Sequence, residues 1–394
     1  MTVSRRVLLT GGAVAGLGTA AAAGYLSAPP AAPAPAAAAA VPVADFQDIG
    51  TGVLPFYGKR QSGITDEPPA HGTFVALTLA KGTDRVALGK LMRLLTDDAA
   101  RLTRGEPALG DTDAELAVHP ARLTVTFGFG PGLYRAAGLK SPVSDLPVFS
   151  IDRLQDRWSG GDLVIQICSD DALTVTHTQR MLIKDARPFG AIRWVQRGFR
   201  RSAGVHKAGF TQRNVFGQLD GTANPRDAEM ETAVWNADHT TQLVVRRVRT
   251  DIETWDLLSV GDKENSTGRR MVSGAPLTGE AEHDEPDFTK LDSTGLPVMA
   301  GFSHVTRAHV TDPALKILRR PFNYDDAPDA QGRPDSGLVF ASYQADIVRQ
   351  YLPIQRRLAE KDLLNEWTTP IGSAVFAIPP GCAEGGWIGE RILA

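Results

Sequence analysis

The chain has 394 residues, enough for two ordinary domains, each with its own core. At 42% hydrophobic and 22% charged it has the balance of a soluble globular protein, not of a disordered or fibrous one. A formal net charge of -3 gives no basic footprint for nucleic acid, and its two cysteines, Cys168 and Cys382, fit no zinc or C-x-x-C spacing.

Residues 1–44 read as a leader outside the fold. Ser4-Arg5-Arg6-Val7-Leu8-Leu9-Thr10 sets paired arginines ahead of an uncharged Gly- and Ala-rich run from Val7 to Leu26. This is the pattern of a twin-arginine export signal. A run of about 20 apolar residues can also span a bilayer, but so many Gly and Ala residues make this one only mildly hydrophobic. Export is the favoured reading, to the extracellular space or the periplasm and cell envelope, with the export machinery as a partner. The Ala/Pro tract from Pro29 to Pro42 is a linker that cannot form a core.

From Gly72 the pattern alternates strands and helices. Thr73–Leu79 reads as a buried strand, and Asp84–Leu102 as a helix with Asp84 as N-cap. Leu123–Gly130 is a strand ending in glycines, followed by a short helix that Gly138 closes. Asp162–Cys168 is another apolar strand, Ala172–Ile183 an amphipathic helix and Ala191–Val195 a fourth strand. This β-α-β, β-α-β order matches a ferredoxin-like unit. Much the same order returns later. Thr241–Val248, Phe302–Val310 and Leu338–Tyr343 are extended, Asp251–Leu258 and Ile347–Leu364 helical, and Ala374–Ile378 is a closing strand. The expected class is α+β, with two ferredoxin-like domains at 45–211 and 212–394, their antiparallel sheets covered by helices.

Between the halves lies Phe216-Gly217-Gln218-Leu219-Asp220-Gly221-Thr222-Ala223-Asn224-Pro225. Asp-Gly followed by Asn-Pro forces a tight loop. Gly217 and Gly221 lack a Cβ, so backbone and a flat ligand can approach closely. Taken locally, Asp220 fits an Asx-turn as well as it fits an active carboxylate. The run Phe-Gly-x-x-Asp-Gly-x-x-Asn-Pro resembles the GxxDG motif of dye-decolourising peroxidases. In these haem enzymes that Asp handles the protons of hydrogen peroxide.

Three further segments carry the resemblance, in the same order. Gly268-Arg269-Arg270 with Gly274-Ala275-Pro276-Leu277 is similar to the segment whose arginine, here Arg269, pairs with a haem propionate. Ser303-His304-Val305-Thr306-Arg307-Ala308 resembles the family's proximal-histidine segment, which implies His304 as the iron ligand. His309 is its rival; in an extended strand the two face opposite sides, so only one can meet the iron. Lys316-Ile317-Leu318-Arg319-Arg320-Pro321 resembles the segment of the distal arginine, and the first arginine after Ile-Leu is Arg319. Pro321 stands where the family usually has Gly, which leaves Arg320 as the alternative.

The resemblance implies a duplicated dimeric α+β barrel, with haem b held non-covalently by the C-terminal half. It implies Asp220 and Arg319 as the catalytic pair and Gly221, Thr222, Ala223, Leu338 and Phe340 as further cofactor contacts. The implied activity is reduction of hydrogen peroxide through an oxoferryl intermediate. Dyes, phenols or other bulky organic donors, or a redox partner, would supply electrons through surface aromatics such as Trp387, Trp367 and Tyr343. A carboxylate base stays ionised at lower pH than an imidazole, so an acidic optimum is expected. A haem-handling or iron-release protein, deferrochelatase-like, is the alternative. A Cys168–Cys382 disulfide is possible in an exported chain.

Overall fold

Strand β1 (His71–Leu79) is buried without interruption from Gly72 to Leu77, the signature of a strand covered on both faces. It is the centre of the first half of the computed structural model, which describes residues 49–202, 204–206 and 210–394. The leader and its export signal lie outside the described residues. Helix α1 (Arg85–Thr103) starts where expected, because Asp84 Oδ1 accepts the Ala87 N–H at 2.8 Å. Strand β2 (Thr124–Phe129), helix α2 (Pro131–Ala136), strand β3 (Leu163–Ser169), helix α3 (Ala172–Ala186) and strand β4 (Gly190–Phe199) follow.

The second half carries helix α4 (Ala228–Val234), strand β5 (Thr241–Thr250) and helices α5 (Ile252–Asp256), α6 (Val260–Thr267) and α7 (His304–Ala308). Strands β6 (Leu318–Arg319), β7 (Phe322–Asp326) and β8 (Asp335–Gln344), helix α8 (Leu352–Lys361), strand β9 (Thr368–Ile378) and helix α9 (Glu390–Leu393) complete the chain.

The strand order is β5-β9-β2-β3-β1-β4-β7-β8-β6, and β5 also pairs with β8, so the sheet closes on itself. All strand pairs are antiparallel. β1–β4 and β5–β9 meet at two narrow seams, Phe129 opposite Ala377 and Phe199 opposite Asn323. The fold is thus a duplicated α+β barrel of ferredoxin-like halves. Phe74, Ala76, Val164 and Trp194 pack against Leu243, Val245, Tyr343 and Phe376 in the core between the two sheets.

Two elements differ from the sequence pattern. Phe302–Val310 does not extend; His304–Ala308 is a helical turn after Ser303. Its β-branched residues suggested a strand, but tertiary contacts override that preference. Arg307 Nε donates to Arg357 O and Arg357 Nε to Arg307 O, each at 3.0 Å, docking the turn on α8. The continuous helix expected over Ile347–Leu364 is broken into a π turn (Ile347–Tyr351), α8 and a 3-10 turn (Leu363–Glu366). Pro353 removes a backbone donor from the first part, and Asp362 ends α8.

Candidate functional site

Along β5 and β8, Arg246 pairs with Phe340 and Val248 with Leu338. These residues alternate with Leu243, Val245, Ala341 and Tyr343, which fill the core between the sheets. Period-two alternation therefore turns Arg246, Val248, Leu338 and Phe340 to the outer face. There they line a cavity of about 1040 Å³, roofed by α7, α8 and the loops that follow α6. The same cavity is lined by Asp220, Thr222, Ala223, Arg269, His304 and Arg319. Gly221 is not among the lining residues; with φ at +137° it turns the chain behind Asp220.

The Asp220 loop is held by its own polar groups. Asn214 Oδ1 accepts the N–H groups of Phe216 and Gln218 at 3.1 Å each. Arg213 Nη1 donates to Gly217 O and Met271 O at 2.6 Å each, tying the loop to the segment after Arg269. The Asp220 N–H donates to Gln212 O at 2.8 Å. The local Asx-turn is not formed: Asp220 Oδ1 instead accepts from Arg319 Nη1 at 2.7 Å. Asp220 Oδ2 makes no hydrogen bond among the described residues. The Asp220 side chain is 7% exposed, so the ion pair is largely desolvated.

Register separates the two arginines. Arg319 pairs with Ser342 across β6 and β8, and Leu318 with Tyr343. Successive strand residues point to opposite faces, so Arg319 reaches the cavity and Arg320 enters the core. Arg320 is 1% exposed and bonds to Asp66 O.

His304 opens α7, and its Nδ1 lies 2.6 Å from Asp362 Oδ2. Burial pulls the imidazolium pKa down; the Asp362 charge and hydrogen bond outweigh it, so the net direction is up. Nε2 makes no hydrogen bond among the described residues. The expectation that His304 and His309 face opposite ways fails, because the segment is helical and both line the cavity. Only His304 has a carboxylate at its other nitrogen; His309 packs on Phe288, ring centroids 4.7 Å apart. Asp362 was missed in the sequence. It lay inside the supposed long helix, and its one local signal is that it stops that helix and caps the next turn through the Leu364 N–H.

Arg269 Nη1 donates to Gly274 O at 2.6 Å and Glu282 O at 2.7 Å. Burial lowers its pKa against the raising effect of the Glu282 charge. Thr222 Oγ1 donates to Glu282 Oε1 at 2.9 Å. Trp255 stacks on the cavity-wall residue Phe216 at 4.5 Å and meets Trp367 at 5.4 Å. Tyr343 is buried between the sheets, donating to Gln166 Oε1 at 2.7 Å, and Trp387 lies under Arg93 at 4.7 Å. Neither lines the cavity.

These residues fit haem. The cavity is at the upper end of the ~300–1,000 Å³ common for cofactor sites. A carboxylate-tethered imidazole with its other nitrogen unbonded is the form an iron ligand takes. Arg269 offers a cation for a carboxylate, and Leu338, Phe340, Val305 and Leu358 supply apolar walls. Both cysteines are free and neither lines the cavity, so no thioether link is available. Fold and site together define a protein of the haem-binding class, with an acid–guanidinium pair in a cavity of a size to take the cofactor.

Comparison with known proteins narrows that class. Residues 61–200 match the model for Dyp-type peroxidase, N-terminal, and residues 211–383 that for Dyp-type peroxidase, C-terminal. A solved DyP-type peroxidase from Cellulomonas bogoriensis is 47% identical, with a TM-score of 0.85 over 88% of this chain and 99% of that one. The dye-decolorizing peroxidase of Thermobifida fusca is 34% identical over 360 residues, covering 84% of this chain and 83% of the relative. The deferrochelatase of Yersinia pestis is 31% identical over 371 residues, covering 87% and 85%. The chain belongs to the Dyp-type peroxidase family. It is a hydrogen-peroxide-dependent oxidoreductase whose cofactor is haem held without a covalent link.

Proposed function

We propose that His304 would ligate the haem iron, that Arg269 would pair with a haem carboxylate, and that Asp220 and Arg319 activate hydrogen peroxide in the same cavity. The observation that carries this reading is the 2.7 Å contact of Arg319 Nη1 with Asp220 Oδ1 in the cavity that His304 also lines. When bound, haem supplies an iron that takes peroxide as a ligand and stores the oxidising equivalents released on O–O cleavage.

The chain's own residues do the rest. Asp220 Oδ2 takes the proton from the near peroxide oxygen and delivers it to the far one, which leaves as water. Arg319 keeps its charge throughout and directs its donors at the oxygen where negative charge builds. Asp362 holds the His304 ring by Nδ1, and Nε2 would serve as the metal ligand. Thr222, Ala223, Leu338 and Phe340 line the cavity and would contact the haem. Dyes, phenols and other bulky donors return electrons from the surface, and the Trp367–Trp255–Phe216 file supports a route inward. The division at residue 211/212 belongs to this reading, with the C-terminal half as the haem-binding domain. So does twin-arginine export of the chain to the cell envelope or beyond.

The test is the absorption spectrum of the folded protein beside that of His304→Ala. A Soret band that His304→Ala loses or shifts is expected; an identical band in both would remove His304 as ligand. The 31% identity to deferrochelatases supports iron release as a second reading. Measuring peroxide-dependent phenol oxidation against release of free porphyrin from the same preparation decides between them. Cell fractionation with N-terminal sequencing tests export, and a full-length cytoplasmic chain would refute it.

A further inference from the structure

Strand β6 has two residues, Leu318 and Arg319, and lies at the end of the strand order, beyond β8. The Arg320 N–H donates to Ala341 O on β8 at 2.8 Å. Along an antiparallel strand the backbone groups of successive residues point to opposite sides. Those of Arg319 therefore point away from β8, where no further strand pairs among the described residues.

The side chain of Asn224 takes that place. Its Nδ2 donates to Arg319 O at 2.7 Å, and its Oδ1 accepts the Arg319 N–H at 3.0 Å. Only a carboxamide side chain joins a donor and an acceptor in this way, so Asn224 makes the bonds a neighbouring strand would make. Asn224 also closes the turn that begins after Asp220, its N–H donating to Gly221 O at 2.9 Å. The turn needs Gly221 at φ +137°, a conformation costly for any residue with a Cβ. One end of this turn carries the Asp220 carboxylate, and the other grips the Arg319 backbone. An arginine side chain has several free rotors; fixing its main chain against the turn narrows where its guanidinium can go.

We propose that Asn224 is a positioning residue for peroxide activation: its paired hydrogen bonds to the Arg319 backbone hold the Arg319 guanidinium on Asp220. The proposal rests on the reading above, in which Arg319 acts with Asp220. Other contacts keep the segments together when Asn224 is cut back. Lys316 Nζ bonds both oxygens of Glu229 at 2.9 Å, and Gln350 Nε2 donates to Ala233 O and Lys316 O at 2.7 Å each. Asn224→Ala is therefore expected to fold and load haem.

The experiment is a cycle of Asn224→Ala, Arg319→Leu and the double variant as holoproteins, with a crystal structure of Asn224→Ala. Misplacing a reacting group by about an ångström costs on the order of 100-fold, so kcat/KM for hydrogen peroxide falls ~10–100-fold in Asn224→Ala. The KM for a phenolic donor stays as in wild type. Asn224→Ser, which keeps one hydrogen bond at a time, recovers part of the loss. The double variant is no slower than Arg319→Leu alone, because the group through which Asn224 acts is gone. In the crystal, Arg319 leaves hydrogen-bond reach of Asp220. An unchanged Arg319–Asp220 contact overturns the proposal, as does the same fold-loss from Asn224→Ala in the Arg319→Leu background. Wild-type kcat/KM in Arg319→Leu overturns the parent reading and this one with it.

Discussion

The barrel holds a histidine–aspartate pair on each half, and the two have opposite fates. His177 Nε2 lies 2.8 Å from Asp111 Oδ2, with the two side chains 1% and 0% exposed. His177 Nδ1 is 3.2 Å from Arg180 Nη2. A guanidinium only donates, so Nδ1 accepts, Nε2 carries the hydrogen, and both ring nitrogens are used. His304 has a carboxylate at the same kind of distance, 2.6 Å, yet its side chain is 32% exposed where it lines the cavity. Its second nitrogen makes no hydrogen bond among the described residues. The fold satisfies both ring nitrogens of His177 and one of His304, which leaves the other available for the ligand role proposed above.

The surroundings explain the difference. On the first half, α1 and α3 lie directly on the sheet and fill its outer face with Leu88, Leu91, Leu95 and Leu182. On the second half, His304, Val305 and Ala308 of α7 and Ile354, Gln355 and Leu358 of α8 stand across open space from Arg246, Val248, Leu338 and Phe340 of the sheet. The space between is the cavity.

The comparison breaks most visibly at the two histidines. His304→Ala is expected to lose the Soret band of the iron–imidazole form, while His177→Ala keeps it. The cost of His177→Ala falls on folding instead. It removes the donor at Asp111 Oδ2 and leaves Oδ1 with the Asp113 N–H at 3.0 Å, a loss of about 1–3 kcal/mol that thermal unfolding of the holoprotein reads as a lower Tm. A normal Soret band in His304→Ala would erase the distinction.

Next in size is Asp220→Asn, which keeps the shape and removes the proton acceptor. A positioned general base contributes ~10²–10⁴-fold, so the rate of reaction with peroxide in stopped flow falls by that order while haem content is unchanged. Asp362→Asn sharpens the comparison from the other side of His304. Loss of the carboxylate behind a metal-bound imidazole typically costs ~10–100-fold in affinity or activity, measured here as the haem dissociation rate to a scavenging apoprotein. An unchanged rate would make the pair as structural as His177–Asp111.

The smallest effect belongs to the first half. Burial, followed by a hydrogen bond and charge from Asp98, raises the Asp185 carboxyl from 3.8 to about 7. The folded state therefore holds a proton that the unfolded chain releases between these values. Stability from this group is full below pH ~4 and is lost as pH rises toward about 7. Tm should fall by a few degrees across that window, a shift typical of about 1 kcal/mol, and Asp185→Asn should flatten the slope. An equal slope in the variant would assign it to other groups.

Much of this was legible beforehand because motifs are local. Asp220 is marked by flanking glycines and the Asn-Pro that ends its turn; His304 and Arg319, which line the same cavity, stand in short segments that resemble those of the family in order. The strand–helix alternation of the first half follows from hydrophobic periodicity and the Asp84 cap. Asp362 was not legible, because its role depends on a helix that stops there and on a histidine 2.6 Å away in space. The helical turn at His304 was misread as a strand, since Val305 and Thr306 favour extension in isolation and yield only to docking on α8.

Sequence alone determined which residue types were available and the turns that glycine, proline and asparagine impose, because those constraints act over a few bonds. Tertiary structure decided the rest. It decided which arginine meets Asp220, because strand parity has meaning only once β6 is paired with β8. It decided which cavity histidine has a carboxylate at Nδ1, and that Asn224 serves as the missing strand beside Arg319. Each is a matter of what lies across a gap between segments distant in the chain, and only closure of the barrel fixes those gaps.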